Sequence, residues 1–186
     1  MTRSFTPNAP NKTLMTIPIR SLLFLEKQRI ELYEDDGFIP AFQRDLVWTL
    51  EQKQNLILSI LDNIPIGIFY TNRVNMLDRD GNGLNTMRNL DTILYDGQQR
   101  FTAIKEFLAG EFPIPYNSES LYVHDFDKSL KNHILQSLVQ VAETSFENYE
   151  ELVNYYIKIN CGGTFHTQED IQKALDALAN KEAEGT

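Results

Sequence analysis

The pattern of apolar and polar positions along the chain predicts several amphipathic helices. The clearest begins after Thr49, because Thr49 and Gln52 have the spacing of a capping box and apolar residues then recur at helical intervals. A second helix is expected after Asp96, which we interpret as its N-cap, with Gln99 as the capping-box partner and Gly110 at its end. Three further stretches have apolar faces at helical spacing, at 130–141, 147–159 and 167–179.

Two β-rich runs, 66–70 and 92–95, predict strands that pair as a hairpin around the Gly- and Asn-rich stretch 78–89. The segment 17–33 fits either a helix or a strand, since short apolar runs do not decide between the two. The stretch 112–127 has no regular pattern, and we expect irregular structure there.

The chain has the length of one domain. Its 186 residues contain no internal repeat and no linker that would divide them. We expect a single domain at 16–179, a flexible arm at 1–15 and a short tail at 180–186. Cys161 is the only cysteine in the sequence, which excludes an intramolecular disulfide framework and a Cys-rich zinc site.

The net charge of the chain limits the classes of binding partner that we expect. A net charge of -9 argues against a broad basic face that grips duplex DNA, although a local basic pocket is compatible with it. The composition favours a small anionic ligand in a cleft or a protein partner, and leaves these two open. No apolar run reaches the roughly 18–20 residues needed to span a bilayer, and residues 1–15 have no signal-peptide core. We therefore expect a cytoplasmic protein with no membrane partner.

The sharpest motif is Asp96-Gly97-Gln98-Gln99-Arg100, at the point where a predicted strand passes into a helix. Backbone N–H groups at a helix start are unpaired and the macrodipole favours negative charge there, so a phosphate could bind. Gly97 permits close approach to the backbone, and Arg100 could meet a phosphate with its planar fork. Asp96 could hold a magnesium ion or orient water. The alternative is an ordinary capped helix with Arg100 on the surface.

A second motif, residues 40–48, places Gln43 and Arg44 between Phe42 and Trp48, just ahead of the first predicted helix. The two polar side chains could project into a cleft while the aromatic residues anchor the segment in the core. The alternative is a surface ion pair between Arg44 and Asp45, of the kind that is common on loops.

A third motif, Asn160 followed by Gly162, Gly163 and Thr164, comes at the end of the helix predicted over 147–159. It could close one side of an anion pocket with backbone amides and the Thr164 hydroxyl. The alternative is a simple helix stop, for which an Asn followed by glycines is typical.

Together these motifs resemble the DGQQR-motif family, which is the N-terminal domain family of GmrSD-type restriction endonucleases and is similar to the ParB/sulfiredoxin-like superfamily. The matching runs, in order, are PAFQRDLVW, QKQNLILSIL, IPIGIFY, LYDGQQRFTAI and YYIKINCGGT. Residues 97–103 also fit the GxxRxxA pattern with which ParB-type domains bind nucleotide phosphates. The resemblance extends from about residue 17 to residue 174, nearly the whole chain.

The resemblance implies a single α+β domain, with a small ParB/sulfiredoxin-like sheet and flanking helices, that binds and in several relatives hydrolyses a nucleoside triphosphate. The family's functional residues fall on Gln43 and Arg44, on Asp96–Arg100, and on Asn160, Gly162 and Gly163. Together with the local motifs, this leads us to expect catalytic roles for Asp96, Arg100 and Arg44, with Mg²⁺ held at Asp96. We expect nucleotide binding by Gln43, Arg44, Gly97, Gln98, Gln99, Arg100, Asn160, Gly162, Gly163 and Thr164. In the family this domain often works as the sensor half of a defence system against phage with modified DNA.

Two classes of function follow as hypotheses. The first is a Mg²⁺-dependent nucleoside triphosphatase, in which charge placement and alignment carry the phosphoryl transfer. The second is a non-catalytic binding or inhibitor module that pairs with a nuclease subunit or with a second copy, or that recognises modified DNA. Many relatives carry an HNH-type nuclease domain after this one. None follows within these 186 residues, so we do not expect DNA cleavage from this chain alone.

Overall fold

The computed structural model describes residues 12–33, 37–40, 42–74, 77–79, 85–87, 91–146 and 149–161, together with residues 172 and 176. The strands are β1 (Lys12–Pro18), β2 (Ile68–Val74), β3 (Leu77–Arg79), β4 (Asn85–Met87), β5 (Asp91–Asp96), β6 (Ile114–Tyr116), β7 (Glu119–Leu121) and β8 (Leu138–Thr144). The helices are α1 (Ile19–Tyr33), α2 (Leu50–Leu61), α3 (Gln98–Ala109), α4 (Lys128–Gln136) and α5 (Tyr149–Cys161), with a short 3₁₀ helix at Val123–Asp125.

A mixed four-stranded sheet, in the order β1-β8-β2-β5, carries the fold. β8 pairs antiparallel with β1 and parallel with β2, and β2 pairs antiparallel with β5. Two small hairpins, β3-β4 and β6-β7, lie outside this sheet. The mixture of helices with a largely antiparallel sheet confirms the α+β class. None of the described helices is long and apolar enough to cross a membrane.

The sheet is buried on both faces around β5. Leu94 and Tyr95 are both fully buried, but Leu94 belongs to a large core under α1, α2 and α3, whereas Tyr95 packs with Phe42 and Tyr156 in a second cluster that includes α5. Successive side chains of a strand point to opposite faces, so one strand serves both cores. The carboxyl end of β5 therefore arrives between the two layers, where the site described below begins.

Several predicted elements are confirmed. Thr49 and Gln52 form the capping box at the start of α2: the Thr49 side chain accepts from the Gln52 N–H, and the Gln52 side chain accepts from the Thr49 N–H. The hairpin prediction is confirmed by the pairing of β2 with β5. Gly110 ends α3 in the left-handed conformation, and α5 covers the helix expected over 147–159. The helix expected over 167–179 falls outside the described residues apart from 172 and 176.

The expectation of a helix over 130–141 is wrong beyond Gln136. Ser137 ends α4, and residues from Leu138 onward form β8, where exposed and buried side chains alternate as far as Val141. The spacing of apolar residues happens to continue the helical period into a strand, and pairing with β1 and β2 decides the outcome.

Two expectations for the first third of the chain are also revised. The flexible arm expected at 1–15 is wrong for residues 12–15, because they pair with β8 as part of β1, while residues 1–11 lie outside the described residues. The ambiguous segment 17–33 divides at Pro18, where a strand ends and α1 begins. The irregular stretch 112–127 contains the β6-β7 hairpin and the 3₁₀ helix.

Candidate functional site

The candidate site lies at the turn between β5 and α3. Asp96 is the last residue of β5, and Gly97 is the N-cap of α3 with a φ of 105°, in the left-handed region. The prediction that Asp96 caps this helix is wrong, since no side chain caps it. The left-handed turn at Gly97 instead leaves the Asp96 carboxylate beside Arg100, whose Nη2 is 3.4 Å from Asp96 Oδ2.

Glycine is required at this turn for two reasons. A φ of 105° is unfavourable for any residue with a Cβ. A Cβ at Gly97 would also lie 2.6 Å from Phe69 Cδ1 and 3.2 Å from Arg100 Nη2. Gly67 is constrained in the same way, because its φ is 87° and its Cβ would lie 2.8 Å from Arg100 Nη1. Both glycines allow the Arg100 side chain to pass against the backbone.

The Gln99 side chain joins α3 to the segment that precedes α2. Its Oε1 accepts hydrogen bonds from the backbone N–H groups of Val47 at 3.0 Å and Trp48 at 3.2 Å. Its Nε2 donates to the Asp45 carbonyl oxygen at 2.8 Å. The amide is thus committed to main-chain groups more than fifty residues away rather than to a capping box, and Gln99 is buried.

Two other glutamine side chains connect the same parts of the chain, and together with Gln99 they form what we call the clamp. Gln98 Nε2 donates to the Arg44 carbonyl oxygen at 2.7 Å, and Gln43 Nε2 donates to the Leu94 carbonyl oxygen. Both side chains are buried, with their amides bonded to the backbone. The clamp fixes residues 43–48 against α3 and β5, so the two motifs form one structural unit.

Arg100 is also tied into the fold. Its Nη1 donates to the Ile66 carbonyl oxygen and its Nη2 to the Ile68 carbonyl oxygen, both at 2.9 Å. The guanidinium lies 4.7 Å from the centre of the Phe69 ring, within cation–π range. Burial lowers the pKa of Arg100, and the Asp96 carboxylate opposes this effect. With the contact to Asp96, these bonds use three of its five N–H donors.

Arg44 differs from Arg100 in its surroundings. Its side chain is half-buried and lines the site pocket. Within the described residues, no hydrogen bond or ion pair involves its guanidinium, and the alternative of a surface pair with Asp45 is absent. Only the backbone carbonyl of Arg44 is engaged, by Gln98. Its planar fork therefore remains available for an anion.

The pocket between the two motifs has a volume of about 90 Å³. The first turn of α3 opens into it, with backbone N–H groups that have no partner within the helix. It contains one carboxylate among the described residues, that of Asp96. Its lining consists of Gln43, Arg44, Trp48, Asp96, Gly97, Gln98, Gln99, Arg100 and Tyr156.

Not every predicted site residue reaches this pocket. The Asn160 side chain donates to the Tyr156 carbonyl oxygen at 2.9 Å, and Asn160 does not line the pocket. Gly162, Gly163 and Thr164 lie outside the described residues. Tyr156 also lines the pocket, although the sequence indicated only that it lies within the helix predicted over 147–159. Its position inside the YYIKINCGGT run was the available signal.

The described part of the chain contains no group of three or more His, Cys, Asp or Glu side chains that could hold a metal ion. A metal bound here would therefore depend on Asp96 together with oxygens of a ligand.

Comparison with known proteins gives a family and one relative. The family model of the GmrSD restriction endonuclease, N-terminal domain, matches residues 22–180. An uncharacterized protein of Methanocaldococcus jannaschii is 28% identical over a region that covers 73% of this chain and 25% of that protein. The chain thus spans about a quarter of the length of this relative. No solved structure matches the chain.

Proposed function

Because the chain belongs to the family of GmrSD restriction endonuclease N-terminal domains, a component of restriction and phage-defence systems, we propose that its pocket binds a nucleoside triphosphate and hydrolyses it. The observation that carries this proposal is the Arg44 guanidinium, which lines the pocket and has no partner among the described residues. A half-buried cation that forms no ion pair with any described residue favours an anionic ligand.

The start of α3 supplies the second half of the anion site. The N–H groups of its first turn and the helix dipole favour negative charge, and Gly97 has no side chain to obstruct a phosphate. One bound water needs roughly 10–15 Å³ of such space, so a cavity of about 90 Å³ has room for a phosphate group rather than for a whole nucleotide. The phosphates enter the cavity, and the nucleoside lies at its open side.

The remaining residues have distinct roles in this proposal. Arg44 contacts the phosphate oxygens with its fork. Arg100 holds residues 66–68 and the Gly97 turn in place, and it also lines the pocket. Asp96 orients the water that attacks the terminal phosphorus. Catalysis then depends mainly on alignment and charge placement, as in other phosphoryl transfers.

At this site Mg²⁺ would have few ligands from the described residues. Asp96 is the one carboxylate that lines the pocket among the described residues, and it already contacts Arg100. A single carboxylate suits Mg²⁺, which keeps several waters and binds largely through substrate phosphates. When bound, Mg²⁺ would neutralise part of the phosphate charge. Asp96 is the residue that would hold it.

The test is calorimetric titration of the chain with GTP, ATP and CTP, each with and without Mg²⁺, combined with a phosphate-release assay. We expect binding of at least one nucleotide in the micromolar range and loss of at least tenfold in affinity in Arg44→Ala, since one charge-assisted contact contributes about 1.5–3 kcal/mol. Arg20→Ala is the matched control, because Arg20 is an exposed arginine on α1. Binding that is equal in both variants, or absent below millimolar concentration, contradicts the proposal.

A second function, nucleotide sensing without turnover, is favoured by one observation. Asp96 is shared with Arg100, so the described pocket has no carboxylate dedicated to activating water. In that case the domain binds the nucleotide and passes the signal to a nuclease subunit. Nucleotide binding without phosphate release, together with a nuclease that co-purifies from the source cell, distinguishes this function from hydrolysis.

A further inference from the structure

The two edges of the main sheet differ in how their main-chain groups are used. At the β5 edge, the Leu94 N–H donates to the Phe38 carbonyl oxygen at 2.7 Å, and the Leu94 carbonyl accepts from Gln43 Nε2. β1 forms the other edge, and within the part of the chain that the structure describes no strand or loop pairs with its outer side. β1 has seven residues, as many as the central strands β2 and β8. An unpaired edge of this length is a template for another strand.

The main-chain groups that face outwards from β1 follow from its pairing with β8. The Ile19 N–H donates to the Ser137 carbonyl oxygen at 2.9 Å, which continues the β1-β8 ladder by one pair. In an antiparallel ladder alternate residues direct both main-chain groups to the same side, so the odd positions of β1 face β8. The even positions face outwards, and they are Lys12, Leu14, Thr16 and Pro18. A proline is expected on that side, since its missing N–H leaves no ladder bond unmade.

β1 lacks the features that usually keep edge strands apart, which are charges, bulges and interior prolines. Its register with β8 is continuous over all seven residues, and residues 13–17 are uncharged. Lys12 is the only charged residue of the strand, and its Nζ lies 5.2 Å from the centre of the Tyr70 ring on β2. This charge therefore lies over the sheet rather than beyond its edge. Leu14, in the middle of the outward positions, is 56% exposed.

From these observations we infer that two copies of this chain pair antiparallel through β1 and form one continuous eight-stranded sheet. An edge strand is self-complementary about a twofold axis, because each copy presents the same alternating N–H and C=O groups. With the axis at Leu14, Leu14 lies opposite the partner's Leu14 and Lys12 lies opposite the partner's Thr16. This register forms about six hydrogen bonds, joins two exposed leucines and sets no like charges opposite each other.

This interface is separate from the nucleotide pocket. The pocket lies at the carboxyl end of β5, on the opposite edge of the sheet from β1. Seven strand spacings of about 4.8 Å would place the two β5 strands of the dimer roughly 34 Å apart. Association should therefore neither require a nucleotide nor change its binding. Failure of one proposal leaves the other standing.

Light scattering of the full chain, from micromolar to near-millimolar concentration, tests the association. A contact of one strand edge is small among protein interfaces, so we expect reversible association that approaches twice the mass of one chain. Leu14→Lys should raise the dimer dissociation constant at least tenfold, because it sets two ammonium groups opposite each other. Leu138→Lys is the matched control, since Leu138 is 69% exposed but lies on the inner strand β8. A single-chain mass at every concentration, or equal weakening in both variants, overturns the inference.

Disulfide trapping tests the register. Cys161→Ser makes the full chain cysteine-free, and in that background Leu14→Cys would bring two Cα atoms to about 5.5 Å, within disulfide range. We expect it to form a disulfide-linked dimer at least tenfold faster than two controls. Thr13→Cys is exposed on the same strand but lies one position from the axis, and Leu138→Cys is more exposed but not at the edge. Oxidation of Leu14→Cys no faster than that of either control contradicts the pairing.

Discussion

Replacement of Gly97 by alanine is the most informative single test of the site's backbone. Gly97 has a φ of 105°, and an L-residue in the left-handed region costs about 1–2 kcal/mol. The new Cβ would also lie 2.6 Å from Phe69 Cδ1, and overpacking of this kind typically costs about 1–3 kcal/mol. The free energy of unfolding should therefore fall by about 2–5 kcal/mol.

Urea denaturation followed by the fluorescence of Trp48, the single tryptophan, measures this change. With a denaturant slope of about 1–3 kcal/mol per molar, the midpoint should fall by roughly 1 M or more. Gly110→Ala is the matched control: its φ is 82°, but its Cβ would meet no atom closer than His124 Nδ1 at 3.4 Å. It should show only the conformational part of the loss. Equal losses in the two variants would refute the packing argument, and no loss in Gly97→Ala would refute the backbone assignment as well.

Three further variants test the clamp and its surroundings. Gln99→Leu leaves the main-chain partners of Gln99 without hydrogen bonds, so urea denaturation should show a loss of about 1–3 kcal/mol in the free energy of unfolding. Trp48 emission should also move to longer wavelength. An unchanged spectrum would mean that other contacts hold residues 43–48. Thr49→Ala removes the capping box of α2 and should cost about 1 kcal/mol, whereas Thr49→Ser should restore most of it in thermal melts. Lys53→Met breaks a half-buried ion pair with Glu106 at 2.6 Å, and its cost of about 1 kcal/mol or less should shrink as salt is added; salt independence would argue against an electrostatic contribution.

Features encoded within a few residues could be predicted from the sequence. The capping box of α2 depends on Thr49 and Gln52, which are three positions apart, and the glycine that ends α3 acts within its own turn. The location of the site was predictable for the same reason, because a strand, a glycine and a helix follow one another at 92–104. The interpretation of Asp96 as the cap failed because Gly97 adopts a left-handed turn and is itself the N-cap.

The roles of the side chains depend on residues distant in sequence. Gln98 and Gln99 bind backbone groups 51–54 positions upstream, and Arg100 binds carbonyls 32 and 34 positions upstream. No local pattern reveals which of these groups is already satisfied by the fold. The strand β8 was missed for a related reason: its apolar spacing fits a helix, and only its pairing with two strands makes it a strand.

The two arginines of the pocket have different roles because the fold satisfies the side chain of one and not that of the other. Arg100 is the arginine of the DGQQR motif, yet its guanidinium donates hydrogen bonds to the Ile66 and Ile68 carbonyls. Arg44 has no such partner among the described residues and faces the same pocket. Substitution of Arg100 should therefore lower stability as well as binding, whereas substitution of Arg44 should lower binding alone.

The most direct test of the account is an amide chemical-shift titration of the full chain with the nucleoside triphosphate that binds best. If phosphate sits at the start of α3 beside Arg44, the amides of Gly97, Gln98 and Gln99 should shift most. In Arg44→Ala the same shifts should need at least tenfold more nucleotide, while the spectrum of the free protein stays unaltered elsewhere. Shifts that are confined to another part of the chain, or that persist unchanged in Arg44→Ala, would contradict the account.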